Sequence, residues 1–213
     1  MILNIKPTAI MVEPCAMPTE PQLRLMREMD HIPMNGTRNT TGSNILEHPE
    51  LQDIKLNLEA ICNKYLQEVY GTTTDVYMKI TTSIHAMSDP GMSQGVHLHH
   101  NALIAGCMYL TKSPKSPIKI ICDDPYFKSF DFQFPYDKET PYNQGMVTLD
   151  CNVGDVVIFP GNLYHYVEND DRREVIGFSA FVYGDFSKAT NTWARYNKTA
   201  ETAGGYGSNL KIQ

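Results

Sequence analysis

The chain has 213 residues, 42% of them hydrophobic and 20% charged, an ordinary composition for a globular protein large enough to bury a core. Its formal net charge of −6 and its single adjacent basic pair, Arg172-Arg173, argue against nucleic-acid and membrane-surface partners. The sequence contains no apolar run of membrane-spanning length and no signal-peptide pattern, and its five scattered cysteines include no CxxC pair. These features predict a reduced, cytoplasmic protein without a membrane anchor.

The first 72 residues are predicted to be mostly helical. Thr19 is a candidate N-cap for a short helix, because Glu20 and Pro21 follow it as a typical first turn. The segment 34–44 is small, polar and glycine-bearing, which predicts a loop.

A longer helix is predicted between Pro49 and Tyr70. Apolar residues recur there at steps of three and four, which is typical of an amphipathic helix, and Gly71 is placed to end it. The expected buried stripe consists of Leu51, Ile54, Leu58, Ile61, Tyr65 and Val69. We interpret this stripe as core rather than as a cofactor-binding surface.

After Gly71 the apolar period changes to that of strands, with Val76, Met78 and Ile80 alternating with their neighbours. Further candidate strands, separated by proline- and glycine-containing turns, cover residues 102–111, 117–122, 146–150, 154–159, 163–168 and 173–183. This order predicts an α+β fold, in which an antiparallel barrel or jelly roll carries helices against one sheet. We expect a single domain over 1–213, with a helical lead-in (1–72), a jelly-roll core (73–184) and a polar tail or lid (185–213).

Three histidines lie in the stretch QGVHLHHNALIAGCMYL (95–111), directly before an apolar strand. Because successive strand side chains point to opposite faces, His97 and His99 are expected to share a face and His100 to point away. Two imidazoles on one face can bind a single metal ion, and His165, after the GDVVIFPG strand and turn, is the candidate third ligand. Each histidine taken alone is also compatible with an ordinary core or strand position.

Arg173 opens the strand REVIGFSAFV. Its face continues with small side chains that can line a cavity, Val175, Gly177 and Ser179, whereas the opposite face is suited to packing under the helices, with Ile176, Phe178, Ala180 and Val182. An arginine aimed into a weakly hydrated cavity requires an anion, and its planar fork matches a carboxylate. An arginine alone is most often a surface residue, but the ordered set of HxH, Gly-Asp strand, Pro-Gly turn, His and Arg predicts a site for a metal and a carboxylate.

These motifs resemble those of the Fe(II)- and 2-oxoglutarate-dependent dioxygenases. The resemblance is strongest to a group of oxygenases common in phages and marine bacteria that is distantly similar to prolyl hydroxylases. It rests on HLHHNALIAGCMYL, Asp124-Pro125, FPGNLYHYV and REVIGFSAF, and it covers about residues 44–183. It implies a double-stranded β-helix, or jelly roll, with N-terminal helices packed on one sheet.

The resemblance also implies the residues of the site. His97, His99 and His165 would bind Fe(II), and Arg173 would bind the distal carboxylate of 2-oxoglutarate, with Tyr109 and Asn101 as further contacts. The implied activity is hydroxylation of an unidentified substrate, a protein side chain or a small molecule, with consumption of O2 and release of succinate and CO2. Three protein ligands leave ferrous iron open positions for the cosubstrate and O2.

The chain departs from the family pattern at three places. His99 stands where the usual second ligand is an aspartate or glutamate, Val175 stands where a serine is frequent, and Met108-Tyr109 replaces a pair of tyrosines. His99 keeps open a three-histidine iron dioxygenase that binds its substrate directly and does not use 2-oxoglutarate. A non-catalytic jelly-roll protein, such as a virion component whose histidines bind zinc or no metal, is the alternative from another class.

Overall fold

In the computed structural model, the described residues are 8–111, 117–122, 135, 137–138, 140, 145–169, 171–185 and 211–212. The helices are α1 (Glu20–Glu28) and α2 (Gln52–Tyr70), and two short 3₁₀ turns, Ile45–Glu47 and Pro49–Leu51, lead into α2. The strands are β1 (Met11–Pro14), β2 (His31–Met34), β3 (Thr37–Thr40), β4 (Val76–Ser88), β5 (Gln94–His97), β6 (Ile104–Tyr109), β7 (Ile118–Ile121), β8 (Met146–Leu149), β9 (Asp155–Pro160), β10 (His165–Val167), β11 (Arg173–Asp185) and β12 (Lys211–Ile212).

The strands form two antiparallel sheets. The larger sheet has the order β1-β9-β6-β11-β4-β3-β2, with β12 paired to β11, and the smaller sheet has the order β5-β10-β7-β8. Buried apolar residues from both sheets meet in one cluster, to which β4, β6, β9 and β11 contribute from the larger sheet and β7 and β10 from the smaller one. This arrangement confirms the predicted jelly roll.

Helix α2 packs on the outer face of the larger sheet, as predicted. Its buried residues are Ile54, Leu58, Cys62, Tyr65 and Leu66, and they share a core cluster with residues of β4, β6, β9 and β11. Gly71 ends the helix in the left-handed conformation, at φ +62°, with its N–H bonded to the Gln67 carbonyl. The predicted burial of Val69 is wrong, since its side chain is 38% exposed.

The first helix begins where the sequence places it. The Thr19 N–H donates to the Gln22 side-chain oxygen at 2.8 Å, which is one half of a capping box. Gln22 then donates to the Glu50 carbonyl and the Asp53 carboxylate, so the start of α1 is tied to the start of α2.

The lead-in was predicted to be mostly helical, but it also contains three strands, which that prediction missed. Strand β1 pairs with β9 at one edge of the larger sheet, and β2 and β3 form a hairpin at the other edge. The hairpin includes most of the segment 34–44 that was expected to be a loop. Asn35 and Gly36 both have positive φ, +48° and +74°, as the tight turn between twisted strands requires, and Asn-Gly is the pair that such turns prefer.

A β-bulge in β4 reverses which side chains of this strand face α2 and which face the smaller sheet. Ser179 pairs with Thr82 and Ala180 pairs with Ile80, which leaves Thr81 as the extra residue. Before the bulge, Met78 and Ile80 belong to the core under α2. After the bulge, Ile84 and Ala86 face the core between the two sheets. The bulge therefore lies at one end of the space between the sheets.

A buried carboxylate connects α1, β4 and β11, and the sequence analysis did not identify it. Glu174 is 1% exposed and accepts hydrogen bonds from Arg27 Nε at 2.8 Å, from Arg27 Nη2 at 3.0 Å and from His85 Nε2 at 2.9 Å. The other ring nitrogen of His85 lies 3.0 Å from Nε2 of His31 in β2. Burial by itself would raise the pKa of Glu174, but the hydrogen bonds from His85 and Arg27 lower it to about 2.

Some sequence-based predictions concern residues outside the described ranges. Asp124-Pro125 lies outside the described residues, as does the tail or lid over 185–213 except for Asp185 and the backbone of β12. The single-domain assignment stays a prediction. All five cysteines are free thiols, and none of the helices in the described ranges combines the length and the apolar character needed to cross a bilayer.

We predict that Glu174→Gln lowers the free energy of unfolding by on the order of 3 kcal/mol at pH 7, because it removes a buried charged acceptor from Arg27 and His85. The depressed pKa of Glu174 means that its stabilising contribution is present above about pH 4.5 and is lost as the pH falls towards about 2. Urea unfolding between pH 2 and 7 should therefore show a flatter pH dependence for the variant below pH 4.5.

The matched control is Glu20→Gln, which removes an exposed carboxylate 3.7 Å from the same Arg27. It should cost less than about 1 kcal/mol, as surface pairs do. Parallel pH profiles for the Glu174→Gln variant and the unmodified chain would show that the buried network does not stabilise the fold.

Candidate active site

A cavity of about 270 Å³ lies between the two sheets. Its lining includes His97, His99, His165 and Arg173, and the remaining lining residues are mostly apolar or hydroxyl-bearing, among them Ser43, Thr82, Ile84, Ala86, Ile118, Phe159 and Val167. The predicted division of β11 holds for all but one of its side chains. Val175, Gly177 and Ser179 line the cavity with Arg173, while Ile176, Ala180 and Val182 belong to or pack against the core under α2. Phe178 belongs to that core and also lines the cavity.

The three predicted histidines come together. Each offers one ring nitrogen, and the three nitrogens lie within 4.8 Å of one another. His97 and His165 are directly paired across β5 and β10, with ring centroids 4.1 Å apart. The ring of His99 is 5.6 Å from that of His97 and stacks on that of His165 at 5.2 Å. Three converging imidazoles are a donor set suited to a first-row transition metal.

Two of the rings are oriented by backbone carbonyls. His97 Nδ1 donates to the Gly95 carbonyl at 2.8 Å, and His165 Nδ1 donates to the Leu163 carbonyl at 2.9 Å. A carbonyl only accepts, so each Nδ1 carries the proton and each Nε2 keeps its lone pair. His97 Nε2 has a long contact of 3.4 Å to the Gln94 amide.

All three rings are neutral at neutral pH, as metal ligands must be. Burial lowers the pKa of His165 to about 3, with a further contribution from neighbouring His97. Burial and His97 together lower the pKa of His99 to about 4. Burial also lowers the pKa of His97, and the positive charge of Arg173 acts in the same direction.

His99 reaches the site by a route different from the one predicted. The two rings meet and His100 is exposed, as expected, but β5 ends at His97, so strand alternation is the wrong reason. Instead, the His99 N–H donates to the Gly161 carbonyl at 2.8 Å, which ties this segment to the turn before β10. A Cβ at Gly161 would lie 2.7 Å from the Ala102 carbonyl oxygen, so the close approach requires glycine.

Arg173 lines the cavity, and Tyr109, which packs beside it but is not among the lining residues, is the second predicted residue with an unsatisfied polar atom. Arg173 is 3% exposed, and its guanidinium carbon lies 5.4 Å from the centre of the Tyr109 ring. The Arg173 Nε and the Tyr109 hydroxyl are buried and have no hydrogen-bond partner among the described residues. Burial raises the pKa of Tyr109, so its hydroxyl stays protonated and can donate. Unpaired buried donors are costly, which indicates that a ligand accepts from them.

The remaining predicted site residue is placed elsewhere. Asn101 is exposed in a turn, with φ +59°, and is not among the residues that line the cavity. The structure adds residues whose part the sequence analysis missed. Phe159 packs edge-on against His165 with ring centroids 4.7 Å apart, and Ser179 Oγ lies 3.0 Å from His99 Nδ1. Ser179 was on the predicted cavity face, but nothing in the sequence connected it with His99.

Comparison with known proteins agrees with this geometry. The sequence profile of a family described as "Putative 2OG-Fe(II) oxygenase" matches residues 84–180. No curated protein matches the chain.

Solved structures with a similar fold include a prolyl-4-hydroxylase from Pseudomonas putida, 11% identical over 81% of this chain and 92% of that one, with a TM-score of 0.54. HygX from Streptomyces hygroscopicus, solved with nickel and 2-oxoglutarate bound, is 12% identical over 81% and 82% of the two chains, with a TM-score of 0.54. A prolyl hydroxylase from Trichoplax adhaerens, in complex with a hypoxia inducible factor peptide fragment, is 12% identical over 81% and 83%, with a TM-score of 0.53.

We predict that His99→Ala abolishes stoichiometric binding of a divalent metal, because it removes one of three converging nitrogens. His100→Ala should bind with the affinity of the unmodified chain, because His100 is exposed and absent from the cluster. Isothermal titration with Co(II) measures both variants. Equal loss of metal in the two would show that the segment after β5 binds the ion in a different conformation.

Proposed function

We propose that this chain is a 2OG-Fe(II) oxygenase, an enzyme that uses Fe(II) and 2-oxoglutarate, and that it hydroxylates a substrate with consumption of O2 and release of succinate and CO2. One observation carries the proposal. Three neutral imidazoles converge in a cavity that Arg173 also lines, and the buried donors of Arg173 and of the adjacent Tyr109 have no partner among the described residues. A zinc-binding or metal-free jelly roll would have no use for that second pair of donors.

The donor set fits ferrous iron. His97, His99 and His165 would each bind through Nε2, since Nδ1 of each ring already has a hydrogen-bond partner. Iron bound there, together with 2-oxoglutarate and O2, would supply the oxidising chemistry of the family. The protein fixes the three rings in advance, so metal binding requires little reorganisation of the site.

The second pair of donors fits a carboxylate. Arg173 would bind the distal carboxylate of 2-oxoglutarate through its guanidinium, and the Tyr109 hydroxyl would donate to the same group. Val175 offers no hydroxyl at the position where related sequences often have serine, so Arg173 and Tyr109 would share this role. A contact from Asn101 stays a prediction that its exposed position does not support.

The rest of the cavity would hold the part of the substrate to be oxidised. Phe159, Val167 and Val175 exclude water from one part of the lining, whereas the Ser43 hydroxyl can bind a polar group. We propose a protein side chain or a small molecule as the substrate. The prolyl hydroxylases among the structural neighbours support the first, and a structure of HygX with hygromycin B bound supports the second.

A second function is favoured by one residue, His99. Three neutral ligands are also suited to an iron dioxygenase that binds its substrate directly and does not use 2-oxoglutarate, and Arg173 would then bind a carboxylate of the substrate. The cytoplasmic location and the origin in phages or marine bacteria stay predictions in either case.

Anaerobic addition of Fe(II) and 2-oxoglutarate to the purified chain distinguishes the two functions. We expect a visible charge-transfer band, because that band arises only when 2-oxoglutarate chelates the iron. Tight iron binding without the band would favour the dioxygenase that does not use 2-oxoglutarate. Failure to bind iron would contradict both functions.

We predict that Arg173→Leu raises the dissociation constant of 2-oxoglutarate on the order of hundreds-fold while leaving Fe(II) affinity nearly unchanged. Removing one partner of a buried ion pair costs about 3–5 kcal/mol, and each 1.4 kcal/mol is about tenfold in affinity. Titration with 2-oxoglutarate, followed by the charge-transfer band, measures the change.

The control is Arg172→Leu, since the neighbouring arginine is exposed and should contribute about 1 kcal/mol at most. If neither variant weakens 2-oxoglutarate binding, the carboxylate is bound elsewhere. Greater sensitivity at Arg172 would contradict the assigned register of β11.

A further inference from the structure

We propose that Ser179 is a positioning residue that makes His99 usable as a metal ligand at the place where related enzymes have a carboxylate. The inference rests on the proposed metal site and assigns to Ser179 a part that the family pattern does not include. It follows from the hydrogen bonds of the three rings, from the bulge in β4 and from the way the chain reaches His99.

The three rings are held by two different kinds of partner. Gly95 and Leu163 present backbone carbonyls to His97 and His165, and each carbonyl fixes the proton on Nδ1. His99 instead has the Ser179 hydroxyl at 3.0 Å from its Nδ1. With Ser179 accepting, Nδ1 carries the proton and Nε2 is free to bind metal. The hydroxyl therefore stands in for the carbonyl that the other two rings have.

A second contact sets the plane of the His99 ring, but it does not by itself decide between the two flipped orientations of the ring. It stacks on the His165 ring with an angle of 8° between the planes. Stacking holds the plane but does not distinguish the two orientations related by a flip of the ring, which exchanges Nδ1 with Cδ2 and Nε2 with Cε1. The hydrogen bond to Ser179 distinguishes them, because only one orientation places a nitrogen beside the hydroxyl.

The backbone around His99 gives the ring little further guidance. Strand β5 ends at His97, and the His99 N–H bond to the Gly161 carbonyl fixes the main chain rather than the side-chain torsions. A carboxylate ligand at this position would need no particular tautomer and has no ring to orient. An imidazole needs a particular tautomer and a fixed ring orientation. The replacement of the usual carboxylate by histidine therefore creates a requirement that Ser179 meets.

Ser179 is itself held in place by the bulge. The Thr81 hydroxyl, on the extra residue of β4, donates to the Ser179 carbonyl at 3.2 Å, and Ser179 pairs with Thr82 on one side and Ala105 on the other. Its side chain is 7% exposed and faces the cavity. A hydroxyl fixed on a strand paired on both sides can position a ring that arrives on an irregular segment.

The test compares five single variants by Co(II) titration of the full chain without cosubstrate. Ser179→Ala should weaken Co(II) binding about 10- to 100-fold, as the loss of a hydrogen-bond partner of a ligating histidine typically does. The Co(II) affinity of Ser179→Thr should stay within about threefold of that of the unmodified chain. Valine has nearly the shape of threonine but no hydroxyl, so Ser179→Val should bind Co(II) as weakly as Ser179→Ala. The Thr/Val comparison decides the matter even if the alanine variant folds poorly.

Thr82→Val is the matched control. Thr82 lies opposite Ser179 on β4 and lines the same cavity, and the hydrogen bonds found in the described ranges do not connect its hydroxyl with any of the three rings. Its Co(II) affinity should be unchanged. Nitrogen-15 shifts of the ring in the Zn(II)-loaded chain add a readout of structure. They should show His99 bound through Nε2 with a proton on Nδ1, and this pattern should weaken in Ser179→Val but not in Ser179→Thr.

The outcomes separate this inference from the proposed function. If His165→Ala abolishes Co(II) binding but Ser179→Val binds as well as Ser179→Thr, the metal site stands and the role of Ser179 is wrong. If the unmodified chain binds no Co(II), or if His165→Ala does not weaken binding, the metal site falls and the role of Ser179 with it.

Discussion

The strict alternation of side chains along β11 is the constraint on which the rest of the structure depends. The strand is hydrogen-bonded on both sides, to β4 and to β6, and so cannot twist or slip independently. One face carries Arg173 and Ser179 into the cavity, while the other carries Glu174 and the apolar residues packed under α2. A shift of one residue would bury the wrong set on each face, so packing of the outer core fixes the position of the groups in the cavity.

The Glu174 network strengthens that constraint from the opposite side of the sheet. Glu174 directly follows Arg173 in the chain, and its hydrogen bonds to Arg27 and His85 connect β11 to α1 and β4. The helical and hairpin segments before the jelly roll therefore contribute more than a cover for apolar surface. They hold the beginning of β11, where the arginine proposed to bind 2-oxoglutarate enters the cavity.

The proposed metal site differs in charge from the pattern of the oxygenases that the chain resembles. With histidine at position 99 the three proposed ligands are neutral, and the only charged side chain lining the cavity in the described part of the protein is Arg173. Negative charge to balance a divalent metal must then come from bound ligands, and the dianion 2-oxoglutarate would supply it. This dependence would couple metal retention to cosubstrate more closely than in a site that has its own carboxylate.

The sequence by itself determined the elements whose signals are local and periodic. The long helix ending at Gly71, the strands of the jelly roll and the two faces of β11 follow from spacing of apolar residues, and His97, His165 and Arg173 lie on strands whose alternation predicts their direction. Asn35 and Gly36 lie in the segment that was expected to be a loop, because the short edge strands beside them contain too few residues for a period to appear.

Only the tertiary structure decided how His99 meets the other two rings and what orients it. Its segment is irregular, so no period applies, and its position comes from hydrogen bonds to Gly161 and Ser179, 62 and 80 residues later in the chain. The burial of Glu174 beside an exposed Arg172 and a cavity-facing Arg173 depends likewise on partners in α1 and β4. Contacts between residues so distant in sequence leave no local pattern, because each partner satisfies its own strand or loop and acquires its function only when the sheets close around the cavity.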